Sequence, residues 1–108
     1  MNNDFSALKT ALISVGVPVY HNEAFEQSDE YIVWNQTDQL YEYSGNRFVY
    51  TGWRVAIDFF TKEEYDSRVD EILAALTSIG ANVSDNTRIY EPDTGYTHFA
   101  ITAEVWDG

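Results

Sequence analysis

The groups in this sequence that could move a proton or hold a cation are His21, His98 and eighteen carboxylates, since there is no cysteine. Nucleophilic catalysis would need an activated hydroxyl, thiol or amine beside an oriented base. No G-x-S-x-G elbow, phosphate-binding P-loop or Gly-rich dinucleotide fingerprint is present. Neither histidine stands in a zinc-binding spacing such as H-E-x-x-H. His98 alternates with Phe99 in a strand-like run, a placement suited to a hydrogen bond or an interface. The acids of "QSDE", "KEEYD" and "RVDE" fall on loops or helix faces, where solvation accounts for them. Asp85, Glu91 and Asp93 lie near one turn and could collect a calcium ion, but the D-x-[DN]-x-[DN]-G loop that organises one is missing. The residues thus assign no catalytic group, no metal and no cofactor, and the expectation is a protein that is not an enzyme.

The elements that must position these groups follow from periodicity. Phe5, Leu8, Leu12 and Val15 recur at three- and four-residue steps and predict a helix from about Asp4 to Val15. Asn3 or Asp4 can cap it, Gly16 suits a left-handed end, and Pro18 blocks continuation. Tyr31 to Trp34 reads as a strand, and Leu40, Tyr41 and Tyr43 as a short second one. After the turn signal Ser44 to Asn46, Trp53, Val55, Ile57 and Phe59 alternate with Arg54, Ala56, Asp58 and Phe60, which predicts a long strand with one apolar face. Gly52 marks a bend or bulge in it.

Thr61 and Glu64 form a T-x-x-E capping box for a second helix. Its apolar face holds Tyr65, Val69, Ile72, Leu73 and Leu76, and Gly80 ends it. Two further strands, around Arg88 and Phe99, are joined by "EPDTG" as an antiparallel hairpin. The expected fold is α+β, a mostly antiparallel sheet with two helices on one face, in the order α-β-β-β-α-β-β.

Length bounds the organisation: 108 residues make one domain, taken as residues 1–108. The start "MNNDFSALKT" lacks a basic region and an apolar run, and no window reaches the roughly 18 apolar residues of a membrane span, so a soluble, intracellularly made domain is expected. A net charge of −12 repels phosphate backbones and anionic membranes. Beyond solubility, such a surface suits a DNA mimic, or a channel wall over which DNA slides without sticking.

Eight Tyr, six Phe and three Trp are many for this length, and they concentrate in strands. In "YTHFAITAEVW", Phe99, Ile101 and Val105 share one face while Tyr96, His98 and Trp106 share the other. The first set suits a helix-covered core and the second a surface that another protein covers. Trp34, Tyr41, Tyr43, Tyr50, Tyr96, His98 and Trp106 are the expected contacts for oligomerisation or for a partner. Base stacking would also use exposed aromatics, but it needs a basic groove that this composition lacks.

Three stretches occur in an order that resembles a known family: "ALKTALISVGVPVYHNEAFEQSDEYIVW", "IDFFTKEEYD" with "VDEIL", and "IYEPDTGYTHFAITAEV". Together they are similar to the tail-terminator, or tail-completion, proteins of long-tailed phages and prophages of Gram-positive bacteria, often labelled minor capsid or head–tail joining proteins. The resemblance spans most of the chain and is weakest over "NQTDQLYEYSGNRFVYTGW". It implies an α+β subunit of a homo-oligomeric, hexameric ring that caps the phage tail tube and meets the head connector protein in the virion, after assembly in the host cytoplasm. DNA would pass the lumen without specific binding, in keeping with the acidic charge. The family supplies no motif residue that transfers as a functional site. The alternative from composition is an acidic inhibitor or DNA mimic that binds a host nuclease or regulator.

Overall fold

A computed structural model describes residues 5–64 and 66–107, apart from the side chains of residues 48–50 and 107. The elements run α1 (Ser6–Ile13), β1 (Val19–His21), β2 (Glu30–Ser44), β3 (Arg47–Thr61), α2 (Arg68–Ser78), β4 (Asn82–Glu91) and β5 (Tyr96–Asp107). They build one five-stranded sheet in the order β1-β2-β3-β5-β4. Only β1 and β2 run parallel; every other neighbouring pair is antiparallel. The fold class and element order are those that the residue pattern predicts.

The period-two run in β3 sets the centre of the fold. Val55, Ile57 and Phe59 are fully buried on one face, level with Ile32 and Trp34 of β2 and with Phe99, Ile101 and Ala103 of β5. Leu8 and Leu12 from α1, Val15 just after it, and Ile72 and Leu76 from α2 close over that face. Each large apolar side chain taken out of water this way contributes about 1.5–3 kcal/mol before entropy is counted.

Gly16, at φ 93°, ends α1 as expected. At the other end Phe5 adopts a left-handed φ of 57° and gives α1 no side-chain cap; Asn3 and Asp4 lie outside the described residues. Its ring sits 5.5 Å from that of Trp34 and 6.0 Å from that of Trp53. The aromatic packing offsets the cost of a conformation that side chains disfavour.

α2 begins later than the capping-box pattern predicts. Thr61 is the last residue of β3, and its hydroxyl donates to Asp66 Oδ2 at 2.7 Å and accepts the Glu63 N–H at 3.1 Å. The Asp66 Oδ1 atom then accepts the Arg68 N–H at 3.0 Å, so Asp66 and not Thr61 serves the helix start. Tyr65 lies outside the described residues, while Val69, Ile72, Leu73 and Leu76 face the core as expected. The C-terminus closes as a Schellman motif, with Ala81 N–H on Leu76 O and Gly80 N–H on Thr77 O at 3.0 Å each.

β2 corrects the strand reading. The two short strands expected around Trp34 and Tyr41 are one continuous strand, and the remaining strand of the first three is β1. A register shift between Gln36 and Asp38 leaves Thr37 as the extra residue, and its hydroxyl donates to the Arg54 carbonyl at 3.1 Å. Such a bulge lets the alternation change phase without ending the strand.

Gly52 marks close packing in place of the expected bend. It pairs with Trp106, and a Cβ added there would stand 2.5 Å from Trp106 Cε3 and 2.7 Å from the Val105 carbonyl oxygen. Gly52→Ala is expected to destabilise the protein by about 1–3 kcal/mol, read as a shift in urea midpoint. Pairing it with Trp106→Ala should cost less than the two single changes added together, because only the carbonyl clash remains.

Candidate functional site

The face of the sheet away from the helices is divided among three kinds of cover. At one end Tyr31, Phe60, Tyr96 and His98 pack ring against ring: Tyr31 on Phe60 at 4.8 Å, Phe60 on His98 at 4.4 Å, and Tyr96 edge-on to Tyr31 at 5.7 Å. Residues 22–29 return from β1 to β2 over this end. There the Tyr96 hydroxyl donates to the Ser28 carbonyl at 2.7 Å, and Phe25 meets Tyr20 edge-on. The Lys62 ammonium lies 4.0 Å from the Tyr96 ring centroid and donates to the Thr94 carbonyl.

Polar and ionic pairs occupy the middle of the face. His98 Nε2 is 2.7 Å from Asp58 Oδ1, and Nδ1 is 3.7 Å from Glu91 Oε2, so the imidazole bridges β3 and β4. Arg54 reaches Asp38 at 3.0 Å and Glu104 at 3.8 Å, tying β2, β3 and β5 together. Toward β5's end the Trp106 indole lies over Gly52.

Beyond that point the sheet narrows. β1 reaches only as far as Trp34 along β2, and β5 pairs with β3 only as far as Thr51. The rest of β2 and β3 forms a two-stranded arm turning at Gly45, with Tyr41 and Tyr43 each more than half exposed. On the opposite side β4 is bonded to β5 alone, and its residues from Asn82 to Tyr90 are all exposed. Among the described residues, no strand covers the outer edge of β4 or of the arm.

A titratable joint lies where the 22–29 segment meets α2. Glu30 hydrogen-bonds Asp66, and Arg68 Nε stands 3.6 Å from Glu30 Oε2 while its guanidinium donates to the Val15 carbonyl. That shared hydrogen bond, together with burial and the Asp66 charge, pushes Glu30 up to about 7 despite the opposing Arg68. Burial also raises Asp66, but the hydrogen bonds from Glu30, Thr61 and the Arg68 N–H, with the Arg68 charge, pull it below the usual carboxylate value. Glu63 brings a third carboxylate, all three within 4.8 Å of one another, the geometry of a possible cation ligand set. Two of the three are already engaged by Arg68 and Thr61.

The expected site residues separate on inspection. Trp34 is 2% exposed, stacked on His21 at 4.0 Å and packed against Phe5, so it belongs to the core and does not offer a contact surface. Tyr96 and His98 do lie on the second face, but the chain's own 22–29 segment and its polar and ionic pairs cover much of them. Trp106 is half-buried on that face, Tyr41 and Tyr43 are exposed on the arm, and the Tyr50 side chain lies outside the described residues. Asp85 and Glu91 stand about 20 Å apart along β4 and do not converge on a cation. Asp85 instead accepts from the Asn86 N–H at 2.9 Å. The sequence places Asp66 at the start of the second helix as an acid that its dipole favours, but gives no sign of its pairing with Glu30 or of the part played by Arg68.

These features define an α+β sheet domain with a projecting arm and an open strand edge. No protein-family model matches the chain, and neither does any curated protein sequence. Among solved structures it is similar to a chain in the virion of a native gene transfer agent particle, with a TM-score of 0.56 and 11% identity, over 95% of this chain and 91% of that one. At that identity the likeness establishes a shared fold.

The acid joint makes stability depend on pH with a definite sign. A folded pKa above the unfolded value gives Glu30 a stabilising contribution that is complete below the ordinary 4.5 and lost as pH rises through about 7. For Asp66 the contribution is present above 3.8 and is lost on further acidification. Between about pH 5 and about pH 8 the wild-type urea midpoint should therefore fall more than that of Glu30→Gln, which has no proton to lose. Parallel curves for the two proteins would show that the joint does not titrate there.

Proposed function

We propose that this chain is a structural virion protein that forms a ring on the end of a phage-type tail tube, completes the tail and joins it to the head. The observation that carries the reading is the shared fold, over nearly the whole length of both chains, with a subunit of a gene transfer agent virion. The ordered sequence stretches point the same way, to tail-terminator proteins. An arm and an open edge on one small domain suit a subunit built to contact others. A charge of −12 suits a lumen through which DNA moves without being held. In this role the protein is not an enzyme, and its partners are copies of itself, the tube protein and the head connector.

A DNA mimic would present phosphate-like acids along a rigid element. α1 carries no acid and α2 only Asp70 and Glu71, both in its first turn, so the helices offer no such array. The ring is the better account of the shape.

Electron microscopy of the purified protein is expected to show closed rings, favoured by added salt because screening weakens repulsion between acidic copies. Particles assembled without the protein should yield tails that fail to join heads, and adding it back should restore joining. Complete, joined particles formed without it would overturn the proposal.

A further inference from the structure

We infer that successive copies join by strand addition, the outer edge of β4 in one copy pairing antiparallel with residues 35–44 of β2 in the next. This rests on the ring reading above and names the contact that would close the ring.

Three observations meet in this pairing. The first is that, among the described residues, two strand edges have no strand beside them, although Asp85 already accepts the Asn86 N–H on one of them. β4 pairs on one side only, and the outer edge of β2 has a neighbour only as far as Trp34. Native proteins blunt such edges with lysine, proline, bulges or a covering segment. β4, NVSDNTRIYE, and residues 35–44 have neither lysine nor proline, and each edge is interrupted by a single bulge, at Ser84 and at Thr37. A two-stranded arm is also marginal alone in water and gains from a third strand.

The second is length. Residues 35–44 match the ten residues of β4, so one edge can cover the other from end to end.

The third is direction. β2, β3, β5 and β4 alternate in direction across the sheet. A second copy placed in the same orientation beyond β4 brings its β2 alongside, running opposite to β4, so the alternation continues unbroken. The contact uses two different edges of the same chain. It is therefore head-to-tail, and it closes into a ring when the rotation per copy allows. β1, lying on β2 up to Trp34, sets where the incoming strand must stop. With the bulged residues Thr37 and Ser84 both left unpaired, residue 35 is level with 91 and 44 with 82. Tyr43 then comes level with Val83, both on the helix side of the sheet, and the two exposed apolar groups cover each other.

Hydrogen exchange of the full chain, compared between dilute monomer and assembled ring, tests this directly. Amides in residues 36–44 and 82–91 should slow by about tenfold or more on assembly. Mixing Tyr43→Cys with Val83→Cys should give a disulfide between the two variants, which is unambiguous in a chain without native cysteine. Rings that form with both segments exchanging as fast as in the monomer, or that cross-link only within each variant, would overturn the pairing while leaving the ring function standing. A protein that stays monomeric and is dispensable for joining would overturn both.

Discussion

The supply of helix against the demand of strand governs this structure. β2 and β3 are fifteen residues each, about 50 Å when extended, while α1 and α2 span about 12 Å and 16 Å. Two such helices can cover one face of a five-stranded sheet over only part of its length. Trp34, Val55, Ile57, Phe59 and Ile101 occupy the stretch that is covered, and the core is confined there. The 49 Å long axis of the molecule is about the full length of β2 and β3.

Every other feature answers that shortage locally. On the second face the 22–29 segment shields the aromatic end, and Asp58, His98, Glu91, Arg54, Asp38 and Glu104 satisfy one another in the middle. Such pairs are partly exposed and hold register more than they add stability. The arm receives neither kind of cover, and its pairing is interrupted by bulges at Thr37 and near Tyr43. The joint at Glu30 and Asp66 ties the end of the loop that covers the second face to the start of the helix that covers the first.

Local periodicity made much of this legible. The stripe of Leu8, Leu12 and Val15, the alternation through Val55, Ile57 and Phe59, and the Pro92 to Gly95 turn each depend on neighbours in sequence. What stayed hidden depends on neighbours in space. Trp34 and Tyr31 alternate in one strand, and nothing in that strand says which face the helices will choose. The three residues of β1 are too few to carry a pattern. Thr61 has the spacing of a capping box, but its hydroxyl is drawn to Asp66 because β3 runs on to meet Thr97. The bareness of the β4 edge is a property of sheet order, which no single strand encodes.

The central place of β3 also has a kinetic meaning. β2 and β3 are adjacent in sequence and can close as a hairpin early, since the loop between them is short. The partner on the other side of β3 is β5, whose residues arrive much later, Ile101 meeting Ile57 and Asp107 meeting Thr51. Contacts so distant along the chain are slow to form. Phe59 and its neighbours must therefore wait, half of their surroundings missing, until β5 has been synthesised. Until then the apolar face of the hairpin lacks the neighbour that β5 supplies.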